Sequence, residues 1–235
     1  MSRIILKVSG EALKGENQNV AKDKLEMIVE TINILKKFNH KVAIVVGGGN
    51  FFRGRENTEM EIITRDTIGM LGTVMNALYI KDYLLMNKIN AIVSTPFNFP
   101  GLIEKYNDLE LREKYDNDEI IIFGGGVGMS GYSTDSGVIL ASRKLDSDFI
   151  IKLTNVDGVY DSDPKINLNA IKFDKLTYNE IIQNNYKVMD MYAIENAMKN
   201  NIKILVMNFL KYKELEDYFN GKVVGTEVTK WKKEN

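Results

Sequence analysis

The chain has no cysteine and a single histidine among its 235 residues. The missing cysteines exclude disulfide bonds and thiolate metal sites, and they fit a protein kept in a reducing compartment. One histidine is too few for a metal site built from several imidazoles. Composition therefore excludes disulfide scaffolds, structural zinc sites and thiol chemistry.

Long apolar runs and a strong excess of one charge are also missing. The 31 basic and 32 acidic side chains leave a formal net charge of -1, which gives no chain-wide attraction to nucleic acid or to an anionic membrane. No stretch approaches the roughly 20 apolar residues that a membrane helix needs. The apolar run in the opening MSRIILKVSG is too short for a secretory signal. We therefore expect a cytoplasmic protein with no membrane partner and no strong nucleic-acid signal.

What the sequence does have is a regular alternation of strand and helix patterns. Short runs rich in β-branched residues predict strands at Arg3–Val8, Lys41–Val46, Asn90–Ser94, Glu119–Phe123, Asp148–Leu153 and Ile202–Met207. Apolar residues with a period of 3.6 predict helices at Ala21–Phe38, Thr64–Met86 and Asp190–Asn200. This order predicts an α/β fold with a largely parallel sheet. With only 3 prolines and no low-complexity linker, we expect one domain over residues 1–235.

Glycine-rich segments follow three of the predicted strands, at Ser9–Gly10, Gly47–Gly49 and Gly124–Gly126. In an open α/β sheet, ligands bind outside the carboxyl ends of the strands, so these turns can line one cleft. Glycine lets backbone N–H groups approach phosphate oxygens closely. Tight turns alone would explain one such segment, but three at one sheet edge favour a phosphate-binding cleft.

The phosphate binder is not a Walker-type loop, because the pattern G-x-x-x-x-G-K-[ST] is absent. Lys7 ends the first strand beside Ser9–Gly10, where its ammonium can bridge the phosphates of a nucleotide. Arg53 follows the second glycine segment, and a guanidinium suits bidentate phosphate recognition. Asp66 is predicted to lie in the first turn of the second helix, where an acid is often only a dipole partner.

A dinucleotide site is the competing interpretation. The segment Gly126–Gly131 matches G-x-G-x-x-G after a strand, and Asp146 lies downstream at about the distance of a ribose contact. Asp146 precedes the next strand, however, whereas a dinucleotide site needs the acid at that strand's end.

Several carboxylates are candidates to organise lysines or Mg²⁺. They are Asp135, Asp157, Asp161, Asp163 and Asp190. In phosphoryl transfer Mg²⁺ takes most of its ligands from phosphates and water, so no dedicated carboxylate cage is required. We expect no metal site formed by the chain alone. The stretch Asn155–Asn169, which holds three of these acids, is predicted to be a surface loop of functional length.

Taken together, these segments resemble the bacterial UMP kinases of the amino acid kinase superfamily. The resemblance runs almost end to end, through KVSGEAL at 7–13, GGGNFFRG at 47–54, RDTIGMLGTVMNAL at 65–78, STDSG at 133–137, KLTNVDGVYDSDPK at 152–165, LTYNEI at 176–181, KVMD at 187–190 and GTEV at 225–228. It implies a three-layer αβα sandwich with a largely parallel central sheet, like that of carbamate kinase. It also implies transfer of the ATP γ-phosphoryl to UMP, with Mg²⁺ accompanying ATP.

The same resemblance implies roles for individual residues. ATP would be held by Lys7, Val8, Ser9, Gly10, Gly49, Arg53, Thr154, Tyr160 and Asp163. UMP would be held by Gly48, Asp66, Val127, Gly128, Met129, Ser130, Gly131, Tyr132, Ser133 and Thr134, with Asp66 accepting from the ribose hydroxyls. The residues implied in catalysis are Lys7, Arg53, Asp135 and Asp190, with Asp190 orienting Lys7.

The chain departs from the family in one loop. The family usually reads G-T-G-N-P-[FY] followed by a second aromatic or Ser, whereas this chain reads GVGMSGYSTD at 126–135. The Asn-Pro pair and one aromatic are replaced, which leaves uracil and phosphate recognition, and UMP-versus-CMP selectivity, open at Met129 and Gly131.

Two alternatives to a UMP kinase follow from these residues. One is a UMP- or UTP-sensing regulator that has lost activity, which the altered loop suggests; the other is a kinase for a small carboxylate in the same superfamily. The resemblance further implies a homohexamer, with GTP as a candidate activator and UTP as a candidate inhibitor, in pyrimidine nucleotide biosynthesis.

Overall fold

An eight-stranded sheet forms the centre of the protein, whose computed structural model describes residues 1–164 and 166–231. In chain order the strands are β1 Arg3–Val8, β2 Lys41–Val46, β3 Ala91–Ser94, β4 Ile120–Phe123, β5 Phe149–Thr154, β6 Val159–Tyr160, β7 Lys172–Phe173, β8 Lys175–Thr177, β9 Lys203–Asn208 and β10 Thr226–Thr229. The sheet order is β3-β4-β2-β1-β5-β9-β10-β8, and β6 pairs with β7 in a separate hairpin. Only β9 and β10 pair in antiparallel fashion within the large sheet. The predicted α/β class with a largely parallel sheet is confirmed.

Eight helices lie on the two faces of this sheet within the described residues. They are α1 Gly10–Leu13, α2 Lys22–Lys37, α3 Ile62–Met86, α4 Asp108–Asp116, α5 Thr134–Lys144, α6 Tyr178–Asn184, α7 Met191–Lys199 and α8 Glu214–Phe219. Within the described residues, no helix is both long enough and apolar enough to cross a bilayer.

Strand periodicity divides the interior into two cores. Along β1, Ile4, Leu6 and Val8 point into a core shared with α2 and α3, whereas Ile5 points into a core shared with α4 and α5. Side chains alternate between faces because a strand has a period of two residues. The outcome is the predicted three-layer αβα sandwich.

The predicted elements agree with the observed ones to within a few residues at each end. The largest shift is at α3, which begins at Ile62, two residues before the predicted Thr64. The predicted loop Asn155–Asn169 contains β6, which pairs with β7 and so gives the loop a fixed stem. The final residue of the KLTNVDGVYDSDPK motif, Lys165, and residues 232–235 of the predicted domain lie outside the described residues.

A buried pair of asparagines joins β2 to α3. Asn50 and Asn76 exchange side-chain amide hydrogen bonds of 2.9 and 2.7 Å, and both side chains are almost fully buried. Asn76 also donates to the Gly47 carbonyl, and Asn50 to the Asn19 carbonyl, each at 2.7 Å. Every group in this network has a partner, so it can fix the second glycine segment against α3.

We predict that Asn76→Ala lowers the free energy of unfolding by roughly 2–3 kcal/mol, because it leaves the Gly47 carbonyl and the Asn50 amide buried without their partner. Asn87→Ala is the matched control, since it removes an exposed asparagine from the end of the same helix. It should cost less than about 0.5 kcal/mol. Urea denaturation of both variants measures the difference, and equal losses would contradict the role of the pair.

Candidate active site

The three glycine segments lie side by side at the carboxyl edge of the sheet. Strands β1, β2 and β4 are parallel neighbours, so their carboxyl ends meet there. A Cβ atom on Gly10 would lie 2.5 Å from both the Gly49 amide nitrogen and the Asn50 Oδ1 atom. A Cβ atom on Gly48 would lie 2.6 Å from the Gly69 carbonyl in α3. Glycine at 10 and 48 is therefore needed for the close approach of these backbones.

Two lysines on adjacent strands share one buried carboxylate at this edge. Lys7 of β1 and Lys152 of β5 are direct neighbours in the strand register. The Asp135 carboxylate, in the first turn of α5, lies 3.3 Å from the Lys7 Nζ atom through Oδ1 and 3.2 Å from the Lys152 Nζ atom through Oδ2. Lys152 also donates to the Val188 carbonyl. The three side chains form a compact cluster with one net positive charge.

The position of this cluster follows from strand alternation. In β1 and β5, Ile5 and Ile150 face the core that α5 covers. Residues 7 and 152 lie two positions further along each strand, so their side chains point to the same face. The amino end of α5 then carries Asp135 onto both ammonium groups.

Burial and the charges within the cluster are the main causes of the pKa shifts of Asp135 and Lys152. Burial raises the pKa of the Asp135 carboxyl, but Lys7 and Lys152 outweigh burial and hold that pKa below its ordinary value. Burial lowers the pKa of the Lys152 ammonium, and the neighbouring Lys7 charge lowers it further, against the opposing effect of Asp135. Among the described residues, the Asp135 Oδ1 atom accepts no hydrogen bond, although it lies 3.3 Å from the Lys7 Nζ atom. Asp135 is thus the group that allows two lysines to stay buried together.

Among the described residues, no hydrogen bond or ion pair joins Asp190 to Lys7, although the resemblance implied that Asp190 orients that side chain. Its Oδ1 atom accepts from the Ala193 amide and caps α7, while its Oδ2 atom accepts from the hydroxyls of Ser133 and Ser136. The orienting position next to Lys7 is occupied by Asp135. Asp190 instead joins the start of α7 to the start of α5.

A cavity of about 470 Å³ opens beside the glycine segments. Its lining carries three guanidinium groups and one carboxylate, from Arg53, Arg55, Arg65 and Asp66. The remaining lining residues are Gly48, Gly49, Phe52, Gly54, Gly69, Met70, Thr73, Gly126, Tyr132, Ser133 and Thr134. Arg53 pairs with Glu11 and Glu56, and Arg55 pairs with Glu11. A small phosphorylated ligand would compete with these carboxylates for the guanidinium groups. Gly49 and Arg53, which the sequence assigned to ATP, lie in this cavity together with residues assigned to UMP.

Asp66 lies further inside α3 than predicted, because the helix begins at Ile62 and places Asp66 in its second turn. It therefore does not cap the helix or pair with its dipole in the first turn. Its Oδ2 atom accepts from the Ser130 hydroxyl at 2.5 Å and from the Gly131 amide at 2.8 Å. These two donors, the Ser130 hydroxyl first, hold the pKa of Asp66 below its ordinary value.

A second cavity, of about 330 Å³, lies between the β6 hairpin and the end of α6. Tyr160 and Asp163, both assigned to the ATP base and ribose, are among its lining residues, whereas Thr154 is not. The Tyr160 hydroxyl donates to Asp157 at 2.7 Å, which raises the pKa of Tyr160. Lys187 lines this cavity, and the carbonyl of the next residue, Val188, accepts a hydrogen bond from Lys152. Lys7, Asp135 and Lys152 line neither cavity, but their chain neighbours do: Thr134, next to Asp135, lines the first cavity, and Lys187, next to Val188, lines the second.

The remaining predicted residues lie either at the end of β1 and the start of α1, or in the loop at 126–135. Ser9 caps α1 by accepting from the Ala12 amide at 3.3 Å, and the Val8 side chain is fully buried, so only its backbone can serve a ligand. Five residues of the departing loop, Val127, Gly128, Met129, Ser130 and Gly131, do not line the first cavity within the described chain, and two of them reach it through Asp66.

The dinucleotide interpretation is wrong. Asp146 precedes β5, so it lies at the amino edge of the sheet, opposite the glycine segments. There it forms an ion pair with Arg112 at 2.5 Å. No side chain in that position can contact a ribose bound at the carboxyl edge.

Sequence reasoning missed Lys152 and Arg65 as site residues. Both lie inside quoted motifs, but neither was singled out. A usable signal existed for Lys152, since a lysine within the buried strand sequence FIIKLT must have a charged partner.

The comparisons with known proteins agree on one family. The sequence model of the amino acid kinase family matches residues 2–208. Among curated proteins, the uridylate kinase of Fervidobacterium nodosum is 38% identical over 229 residues, which cover 96% of this chain and 97% of that protein. The uridylate kinase of Streptomyces avermitilis is also 38% identical, covering 96% of this chain and 91% of that protein.

Solved structures give the same result. The UMP kinase from Bacillus anthracis has a TM-score of 0.92 and 33% identity, covering 97% of this chain and 96% of that one. The UMP kinase from Ureaplasma parvum has a TM-score of 0.90 and 32% identity, covering 97% of this chain and 98% of that one.

We predict that Asp135→Asn destabilises the protein by about 3–5 kcal/mol near neutral pH, because two buried ammonium groups then face each other without a counter-ion. The lowered pKa of Lys152 fixes the sign of the pH dependence. Burial disfavours the charged form of Lys152, so the variant loses the most stability at a pH where this lysine is protonated. The loss of stability decreases as pH rises toward the ordinary lysine pKa.

Urea denaturation of wild type and variant between pH 7 and pH 10 measures this prediction. The stability difference should narrow with rising pH. A difference that is small at pH 7, or that widens with pH, would contradict the account of the cluster.

Proposed function

The chain belongs to the amino acid kinase family, and from that premise we propose that it acts as a UMP kinase in pyrimidine nucleotide biosynthesis. It transfers the γ-phosphoryl group of ATP to UMP and releases UDP and ADP. The observation that carries this function is the Lys7–Asp135–Lys152 cluster, which lies at the carboxyl edge of the sheet beside the glycine segments and is next in the chain to residues that line the two cavities.

The chemistry needs positioning and charge neutralisation more than proton transfer. An oxygen of the UMP phosphate is already ionised, so it attacks the ATP γ-phosphorus without a general base. The new bond forms to that oxygen while the bond from the γ-phosphorus to the β,γ-bridging oxygen breaks, and ADP leaves. In this proposal Lys7 neutralises charge on the transferring group, and backbone N–H groups of the glycine segments assist it. Asp135 holds Lys7 and Lys152 in place.

We assign UMP to the arginine-lined cavity and the ATP base to the cavity beside the β6 hairpin. Gly48, Asp66, Tyr132, Ser133 and Thr134 line the first cavity and support the UMP assignment. Tyr160 and Asp163 line the second and support the ATP assignment. Gly49 and Arg53 then serve at the junction, where the phosphates of both nucleotides meet.

Mg²⁺ enters this proposal as part of the ATP complex. The carboxylates near the cluster are already committed, Asp135 to two lysines and Asp190 to hydroxyls and a helix cap. Within residues 1–164 and 166–231, no group of three or more acidic or histidine side chains is arranged to hold a metal ion. Phosphates and water are therefore the expected ligands, and the ion's contribution is to neutralise charge on the β- and γ-phosphates.

The family resemblance also leads us to propose the domain organisation, location, assembly and effectors of the enzyme. We propose a single domain over residues 1–235 that works in the cytoplasm as a homohexamer, with GTP and UTP as candidate effectors. A contact between copies is supported by α3, which is apolar on both faces. Its outward face carries Leu71, Met75, Leu78 and Tyr79, which are between 38% and 53% exposed. A helix that is apolar all round is normally covered.

The first test is ADP production from ATP and Mg²⁺ with UMP, CMP, dUMP or glutamate as acceptor. We expect the highest rate with UMP, and GTP and UTP added to the same assay report on regulation. Lys7→Met should lower kcat at least about a hundredfold and change the KM for UMP little, because the lost charge acts mainly in the transition state.

Lys14→Met is the matched control, since Lys14 is exposed and has no ion pair within the described chain. It should keep wild-type kinetics. A kcat for Lys7→Met that stays near the wild-type value would remove Lys7 from the mechanism, and nucleotide binding without ADP release in the wild type would favour the sensing regulator.

The assembly is tested by light scattering after size exclusion. We expect a mass about six times the 26.7 kDa of one chain. Leu78→Glu should give smaller species because it places a charge in the covered face. Leu168→Glu, at a leucine that is 94% exposed, is the control and should leave the mass unchanged. A wild-type monomer would contradict the proposed hexamer.

A further inference from the structure

Asp66 is bound by the departing loop in a specific way. The Ser130 hydroxyl and the Gly131 amide both donate to its Oδ2 atom, at 2.5 and 2.8 Å. In the described residues no hydrogen bond is accepted by the Oδ1 atom. The carboxylate is therefore held by one oxygen while the other remains available at the cavity that Asp66 lines.

These two contacts depend on the residues that distinguish this chain from the family pattern. Proline, which the family usually has at position 130, carries no hydroxyl and could not donate to Asp66. Gly131 has a φ of +87°, a conformation that an aromatic residue in its place would rarely adopt. A Cβ atom at Gly131 would meet nothing within 4 Å, so backbone conformation rather than space requires glycine there. The departure thus creates a clamp on Asp66, made of Ser130 and Gly131.

The clamp has a consequence for which sugar the cavity accepts. Two donors on Oδ2 restrain rotation of the carboxylate, which leaves Oδ1 as the oxygen that can accept at the cavity lined by Asp66. A ribose offers two vicinal hydroxyl donors, whereas a deoxyribose offers one. A fixed polar group penalises a ligand that lacks the matching hydroxyl, because the group is then left without a partner on binding. A carboxylate free to turn could find water or another donor.

We propose that Ser130 is a positioning residue that determines sugar specificity, because it holds Asp66 in the orientation that distinguishes UMP from dUMP. The inference rests on the proposed function and deepens it at the UMP site. Ser130 acts through Asp66 and takes no part in phosphoryl transfer.

The experiment compares Ser130→Ala with Ser130→Thr and with Thr67→Ala, using steady-state kinetics with UMP and with dUMP at high enzyme concentration. Ser130→Ala removes the hydroxyl donor to Asp66, and Ser130→Thr retains a hydroxyl. Thr67→Ala is the control, because it removes a hydroxyl next to Asp66 that, within the described part of the chain, bonds only to the Ile63 carbonyl of its own helix.

For Ser130→Ala we expect the KM for UMP to rise roughly tenfold, the size expected for loss of a hydrogen bond to a charged acceptor. The kcat at saturating UMP should stay within about twofold. The ratio of kcat/KM for UMP to that for dUMP should fall by a similar factor of about ten, because dUMP depends less on Asp66. Ser130→Thr should restore most of the wild-type ratio.

Two results would overturn the inference. One is a Ser130→Ala variant whose UMP-to-dUMP ratio equals that of Thr67→Ala. The other is a Ser130→Ala variant whose kcat/KM falls equally for UMP and dUMP, or whose kcat falls. Either outcome would indicate a structural role for the hydroxyl. Absence of UMP kinase activity in the wild type is a different result, since it overturns the proposed function itself.

Discussion

The rest of the site depends on the carboxylate of Asp135, which neutralises two lysines that the sheet places side by side. Lys7 and Lys152 are register partners in β1 and β5, so their ammonium groups would repel each other in a buried environment. The first turn of α5 supplies the compensating charge at 3.2 and 3.3 Å. One positive charge remains uncompensated at the edge where phosphates are expected to bind. The interaction that stabilises the fold at this point therefore also leaves a positive charge that is available to the proposed phosphoryl transfer.

Close backbone approach is the second constraint on the cleft. Glycine at positions 10 and 48 lets the turns after β1 and β2 touch each other and α3. The paired Asn50 and Asn76 side chains then fix the turn after β2 against that helix. Close-packed turns and a buried asparagine pair thus give this edge of the sheet a fixed backbone geometry without any Walker-type sequence.

The loop at 126–135 shows how a departure from a family pattern can be compensated locally. Replacing Asn-Pro and an aromatic by Met-Ser-Gly removes a rigid residue and adds conformational freedom, since glycine and serine restrain the backbone less than proline does. The Ser130 and Gly131 donors to Asp66 restore a fixed geometry by a different route. Local sequence rules are often broken at functional sites, where another interaction offsets the cost.

By itself, the sequence determined the fold class, six of the strands, three of the helices, and the sheet edge at which the glycine segments lie. These features follow from local periodicity and from rules for where ligands bind in parallel sheets, and β1 and β2 were predicted with their observed ends. Motif resemblance pointed to the family, to seven residues that line the first cavity and to two that line the second. Only the tertiary structure decided that Lys152 lies beside Lys7, that Asp135 forms the ion pair with both lysines, and that Gly49 and Arg53 share a cavity with Asp66. Each of these depends on strand register or on how a helix is placed across the sheet. Such contacts join residues far apart in the chain, so no local pattern encodes them.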